Sequence, residues 1–273
     1  CQLAGSRLKV VVTGEGADEI FAGYRKFLLE AAAHAYPSLS PADRAELAAV
    51  YPELPPYLAV REKDPARRYI QSELLFDPPS LERLIGRTGI DTAFPSDALP
   101  PFDPAGHPVN TAIAFECRAR LPDYVVLRLD KLSMRHSLET RTPFLDYRLA
   151  EFAARLPVGL KVDIHTGMEK VVCRHAFDRF GVLDRETAFR KKKPFTIPLA
   201  QWLSEPDRLP EAIREVVRGD KVARQGIVDP AVFKRLVENI TSDNIGPHTL
   251  VSEADRVFAV IVFTLWYERF IEG

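Results

Sequence analysis

The run Lys9-Val10-Val11-Val12-Thr13 is apolar, β-branched and closed by a glycine, which predicts a short buried strand. The pattern then changes from period 2 to period 3.6. From Asp18 to about His34, Ile20, Phe21, Tyr24, Phe27 and Leu28 fall on one face of a single predicted helix. Ser40-Pro41-Ala42-Asp43 marks another helix start, with Ser as cap and Pro at the first helical position. Pro52 to Pro65 is turn-rich and Arg67 to Leu75 reads as helix. Asp77 to Pro108 is rich in loop residues, with a short helical piece at Leu81 to Ile85.

Further along, Asn110–Leu121 and Asp123–Leu138 read as two helices broken at Pro122. Asp146 caps a third, Tyr147–Leu156, with Leu149, Phe152 and Ala153 inward. Thr166-Gly167-Met168-Glu169 has the form of a capping box, so a helix is expected from there to Phe180, ending at Gly181. Asp229-Pro230 and Ser252-x-x-Asp255 open two more near the C-terminus. The sum is one strand among about eight to ten helices, a helix-rich α/β chain. A lone strand is not stable, so its pairing partners are expected outside this sequence.

Composition narrows the function classes. The 273 residues are 46% hydrophobic and 27% charged with net charge -1, ordinary for a globular protein and unlike a basic nucleic-acid binder. The longest apolar run, Val257–Tyr267, is too short to span a bilayer, and no signal-peptide pattern opens the chain, so neither nucleic acid nor membrane is expected as a partner. Cys1, Cys117 and Cys173 show no paired or metal-like spacing; unpaired thiols and a cytoplasmic location are expected. The only methionines are Met134 and Met168, which reads as a processed chain or a piece of a longer one.

The loop after the strand carries the chemistry. Strand, glycine loop and helix N-terminus together make an anion site. Yet Glu15, Asp18 and Glu19 occupy it, and carboxylates repel phosphate unless a cation lies between them. Magnesium resolves the conflict, since it takes one or two carboxylates along with phosphate oxygens. Asp18 is then a metal ligand and Glu15 faces the reacting centre. The alternative is structural: Asp18 and Glu19 complement the dipole of the helix they open.

Thr13-Gly14-Glu15-Gly16-Ala17-Asp18-Glu19-Ile20-Phe21-Ala22-Gly23-Tyr24 resembles the signature Ser-Gly-Glu-Gly-(Ser/Ala)-Asp-Glu-(Leu/Val)-Phe-Gly-Gly-Tyr of glutamine-hydrolysing asparagine synthetases. Asp130-Lys131-Leu132-Ser133-Met134 followed by Ser137-Leu138-Glu139-Thr140-Arg141-Thr142-Pro143-Phe144-Leu145-Asp146 is similar to a second block of that family. Phe189-Arg190-Lys191-Lys192-Lys193-Pro194-Phe195, with Pro198 and Trp202, is similar to a third. The blocks also keep the family's order.

The resemblance implies the C-terminal part of an ATP-pyrophosphatase-type (adenine-nucleotide alpha hydrolase-like) parallel-sheet domain, one domain over residues 1–273 with its N-terminal strands missing. It implies ATP and magnesium as cofactors. The reaction would adenylate the side-chain carboxylate of an aspartate-like substrate, after which ammonia displaces AMP to give asparagine. By the same resemblance Thr13 and Gly14 lie at ATP, Asp18 holds the metal, and Glu15 and Lys192 are catalytic. Lys192 sits in a basic run of the kind that is usually solvated, and only its spacing to Phe195 singles it out. Asp130, Glu139, Arg141 and Asp146 read as architectural, with Glu139 and Arg141 able to orient one another or the adenylate pocket. Lys170 and Arg174 read as a solvated helix face before a phosphate-facing pair, and His136 and His175 as ordinary core or surface histidines.

Three departures from the family stand out. The Ser-Gly-Gly-x-Asp-Ser pyrophosphate loop does not occur here, and neither does a glutaminase domain to release ammonia from glutamine. Cys1 imitates that domain's N-terminal nucleophile but runs directly into the nucleotide strand. The expectation is therefore a fragment or one part of a split enzyme, with ammonia supplied by a glutaminase domain or partner chain; a homodimer stays open. Glu15 distinguishes it from β-lactam-forming relatives, which carry tyrosine there. Peptide-cyclising relatives and a non-catalytic, partner-binding remnant stay open as well.

Overall fold

The Val10–Val12 strand (β1) finds a partner inside the chain. It runs parallel to Glu139–Arg141 (β2), with Val11 opposite Thr140. This corrects the expectation that every pairing strand lies outside the sequence: Glu-Thr-Arg has too little apolar character to announce a strand. β1 is also not buried. Val10 is 47% and Val12 72% exposed, because among the described residues β2 alone covers it.

The computed structural model describes residues 1–61, 63–89, 106–192, 197–240 and 251–273. They fall into two compact units, Cys1–Tyr69 with Pro95–Lys192, and Ile70–Phe94 with Lys193–Gly273. The whole is a helix-rich α/β chain with a small parallel sheet and an antiparallel hairpin. No helix among the described residues is long and apolar enough to cross a membrane.

In the first unit, the helix expected from Asp18 to His34 is two: α1 (Ala17–Ile20) and α2 (Arg25–Ala35). The break is a Schellman turn. Ala22 adopts a left-handed φ of 56°, and Gly23 N–H donates to Asp18 C=O at 2.7 Å, the six-to-one bond of that motif. α2 is buried along Phe27–Ala33, so it is a core helix rather than a one-sided one. It packs on α3 (Pro108–Arg118), whose Val109, Ile113 and Phe115 are buried. α3 reaches α4 (Leu127–Met134) through a π-helical turn, Leu121–Val126. Pro122 therefore does not break the chain; it occupies the first turn of that segment, where its missing N–H costs nothing.

Asp146 caps α5 (Tyr147–Arg155) as read, accepting from Arg148 N–H at 3.0 Å. Ile20 and Phe21 pack with Ala153 of α5, which fixes the loop after β1 against the second motif. The capping-box reading at Thr166 is overturned. Met168–Glu169 (β4) pairs antiparallel with Val162–Asp163 (β3), and the helix starts only at α6 (Val171–Arg179). Thr166 Oγ1 donates instead to Asp163 Oδ2 at 2.7 Å, and Gly167 turns the hairpin at φ 69°. All three cysteines are free.

The second unit is helical. Phe233, Val216, Val257, Val260 and Ile261 form its core, with Glu253–Tyr267 as the longest helix. Its starts match the expectations: Asp229 caps Pro230–Glu238, and Ser252 with Asp255 forms a full capping box. Asp77 caps Pro78–Ile85 in the same way. Residues 90–105 of the predicted loop-rich stretch lie outside the described residues.

One polar cluster lies inside the α2–α3 packing. Glu116 is fully buried and accepts from Lys26, from Arg120 at 2.8 Å and from Tyr69 at 3.2 Å. Removing the carboxylate would leave its cations without their buried counter-charge. Glu116→Ala is expected to lower unfolding free energy by about 3–5 kcal/mol in urea denaturation, whereas a surface change such as Glu151→Ala is expected to stay within about 0.5 kcal/mol.

Candidate active site

The site grows from the carboxyl end of β1, the end at which parallel sheets present ligand-binding loops. Thr13 N–H donates to Arg141 C=O at 2.8 Å and carries the ladder one residue past β1. The chain then turns away from the sheet. Gly14 is exposed, and a Cβ there would meet nothing within 4 Å. Gly16, at φ +92°, has a different constraint: a Cβ would lie 2.1 Å from Leu145 Cδ2. The second sequence block thus presses directly on the first.

α1 is a single turn, so it offers little of the helix dipole that was expected to attract phosphate. The charge comes from side chains. Asp18 Oδ1 accepts from Lys192 Nζ at 2.6 Å and from Lys170 Nζ at 2.9 Å. Lys192 also donates to Gly23 C=O at 2.7 Å. Burial works against Asp18's ionisation, but the two ammonium groups outweigh it and hold the carboxyl below the usual range. The pairs therefore persist from neutral pH into the acid range and are lost only as pH falls through that lowered pKa. The dipole reading of Asp18 and Glu19 fails on the same geometry. Glu19 is 1% exposed and accepts from Tyr24 Oη.

Glu15 points elsewhere and is a third exposed. Its Oε1 lies 3.6 Å from Arg128, whose guanidinium stacks over the Tyr124 ring at 4.8 Å. Two cations on Asp18 and one beside Glu15 leave a pair of carboxylates flanked by positive charge at the mouth of a strand loop.

The asparagine synthase family model matches residues 1–268 of the 273. The chain belongs to the asparagine synthase family. A putative glutamine-hydrolyzing asparagine synthetase of Mycobacterium bovis is 26% identical over 98% of this chain and 40% of its own length. The glutamine-hydrolyzing asparagine synthetase 1 of Bacillus subtilis is 24% identical over 98% of this chain and 42% of its own. An amidase of Penicillium rubens, chyE, is 27% identical over 85% of this chain and 38% of its own. The chain thus spans about 40% of the length of the curated relatives it matches. No solved structure matches.

Within the chain, the basic run resolves by register. Arg190 and Lys191 are exposed, while Lys192 turns in to Asp18; Lys193, Pro194 and Phe195 lie outside the described residues. Lys170 and Arg174 are not a solvated face. Lys170 precedes α6 at a left-handed φ of 53°, a strained position that delivers its ammonium to Asp18. Arg174 clasps Glu169 at 2.5 Å and the carbonyls of Ala188 and Arg190 at 2.8 and 2.9 Å, which fixes the segment leading to Lys192. Glu139 and Arg141 pair at 2.5 Å on exposed β2, Asp130 is exposed, and His175 is an exposed side chain edge-on to Phe189. Lys170, weighed in the sequence mainly as solvated, reaches Asp18, and Arg128, which no sequence signal marked, lies beside Glu15.

Magnesium fits the donor set in one way. Among the described residues no group of three His, Cys, Asp or Glu could cage a metal. A magnesium ion carried by phosphates needs only one or two carboxylates. Both lysines fall on Asp18 Oδ1, which leaves Oδ2 for such an ion.

Gly23 holds this arrangement together. A Cβ there would lie 1.9 Å from Asp18 Oδ1 and 2.9 Å from Asp18 Cα, so backbone as well as side chain must move. Gly23→Ala is expected to lose about 1–3 kcal/mol of stability. Urea denaturation measures it, and Gly159→Ala, with open space around it and no left-handed φ, is the comparison for the loss of glycine alone.

Proposed function

We propose that this chain carries the carboxylate-activating, amide-forming centre of an asparagine synthase-type ligase. The observation that carries the reading is the sharing of Asp18 between Lys170 and Lys192, beside Glu15, at the carboxyl end of a parallel strand. That arrangement suits a polyphosphate arriving with its metal: positive charge is already convergent, and one carboxylate is held ionised.

In the first step an oxygen of the substrate's side-chain carboxylate attacks the α-phosphorus of ATP, and the bond to the β-phosphate oxygen breaks. Pyrophosphate leaves and an acyl-adenylate remains. Ammonia then attacks the acyl carbon, the acyl–phosphate bond breaks, and AMP departs as the amide forms. Thr13 and Gly14 lie against the nucleotide. Lys192, joined by Lys170, meets charge that builds on the departing phosphates, a task suited to compact ammonium groups. Bound at Asp18, magnesium would neutralise phosphate charge. Glu15 takes a proton from the attacking ammonia, with Arg128 keeping its carboxylate oriented.

The fold proposed around this centre is ATP-pyrophosphatase-like, with further strands covering the open Val10 and Val12 face. A segment or partner chain outside this sequence supplies them, together with the remaining phosphate contacts and the ammonia. Aspartate is the favoured carboxylate because Glu15 stands where β-lactam-forming relatives carry tyrosine.

The test uses the protein that carries this chain, assayed for asparagine formation from aspartate, ATP and ammonia. Glu15→Gln is expected to lower the rate by about 10²–10⁴-fold, the range for a lost general base, while ATP binding by calorimetry is unchanged. Unchanged turnover would remove Glu15 from the chemistry. A protein that releases no pyrophosphate with any carboxylate would favour a partner-binding role.

A further inference from the structure

Tyr24 closes the signature block, yet the chemistry above gives it nothing to do. Its surroundings are unusual. Three cations lie within 5.5 Å of one ring: Lys192 Nζ at 5.1 Å, Arg120 at 5.2 Å and Lys26 Nζ at 5.4 Å from the centroid. Arg120 and Lys26 both end on the buried carboxylate of Glu116, so their charge is answered inside the core. Lys192 is the third, and it faces the site, on Asp18 and Gly23 C=O. The ring thus touches both the cations that end on Glu116 and the ammonium offered to the ligand.

The hydroxyl fixes the ring. Tyr24 Oη donates to Glu19, whose carboxylate is 1% exposed. Burial and that neighbouring carboxylate push the phenol far above its ordinary range, so it stays a donor across the whole working pH range. Tyr24 also begins α2 directly after the Gly23 turn, so its backbone is set by the same contact that shapes Asp18.

We infer that Tyr24 is a positioning residue for Lys192: its ring face seats the ammonium toward the phosphates, and its bond to Glu19 locks the ring. The physical need is plain. A lysine loses up to about 2 kcal/mol of rotamer freedom when fixed, and Lys192 must stay seated when a metal ion reaches Asp18 Oδ2 and phosphate arrives beside it. The ring and the Gly23 carbonyl are contacts that this arrival does not need to disturb. Seating of this kind acts on the step in which phosphate charge develops, so it moves kcat more than KM for ATP. The role rests on the adenylating reading above.

The test replaces Tyr24 in the protein that carries this chain and follows pyrophosphate release. Tyr24→Leu is expected to lower kcat by about 2- to 30-fold, the span of a cation–π contact, with KM for ATP little changed. Tyr24→Phe, which keeps the ring, should recover most of that loss. In a Lys192→Gln background Tyr24→Leu should have no further effect, since its partner is already gone. Equal losses in both backgrounds, or a Phe variant as slow as the Leu variant, would overturn the inference.

Two further measurements guard against a misfolded variant and an inactive protein. Phenylalanines of increasing ring fluorination at position 24 weaken the ring's negative face with little change of shape, and kcat should fall along the series; a flat series overturns the seating role. Independently of turnover, the ¹³C-methylated Lys192 ammonium should show an upfield ring-current shift that persists in Tyr24→Phe and vanishes in Tyr24→Leu. An unshifted signal overturns the contact itself. A shifted signal in a protein that releases no pyrophosphate would sink the ligase reading and leave the contact standing.

Discussion

One carboxylate oxygen, Asp18 Oδ1, joins three distant parts of the first unit. It takes Lys170 from the start of α6 and Lys192 from beyond the segment clasped by Arg174, while its own backbone carbonyl is tied to Gly23. The sequence separations are 152 and 174 residues, so the bonds exist only when the unit is folded. The strain needed to make them is visible in two non-glycine residues at left-handed φ, Ala22 and Lys170. Ala22 takes that conformation to close the turn after α1. At Gly23 any Cβ would collide with Asp18.

The charges of the first unit are arranged in layers. Glu116 meets Lys26 and Arg120 inside the core, and Glu30, one turn along α2 from Lys26, meets Arg61 at 2.7 Å and Arg68 at 2.8 Å. The Tyr24 ring touches both Arg120 of the Glu116 layer and Lys192. Buried ion pairs of this sort seldom add much net stability, since desolvation offsets most of their attraction. What they do here is hold orientation. α2 is apolar nearly all round, and its paired Lys26 and Glu30 fix which face meets α3.

Reading the chain alone captured what is local. Ser40, Asp146, Asp229 and the Ser252–Asp255 box all cap helices as expected, because a cap depends on three or four neighbouring residues. The Thr166 box misled for the converse reason: pairing of Met168–Glu169 with Val162–Asp163 satisfies the same backbone groups another way. β2 was invisible since Glu-Thr-Arg looks like a polar loop until β1 lies beside it. Asp18 and Lys192 were found through their motifs, while Lys170 was set aside because a lysine's partner cannot be read from its neighbours. The family was legible early. The candidate site was legible as residue names, and the hub that joins Asp18 to Lys170 and Lys192 was not.

The central proposal is that Asp18 takes, through Oδ2, the metal that accompanies a phosphate, with Lys170 and Lys192 beside it. Isothermal titration of inorganic pyrophosphate into the protein that carries this chain, with and without magnesium, tests it most directly when compared with Asp18→Asn. The account predicts that magnesium tightens binding to the unmodified protein, and that Asp18→Asn loses this enhancement while still binding pyrophosphate through Lys170 and Lys192. An undiminished magnesium effect in Asp18→Asn would contradict it.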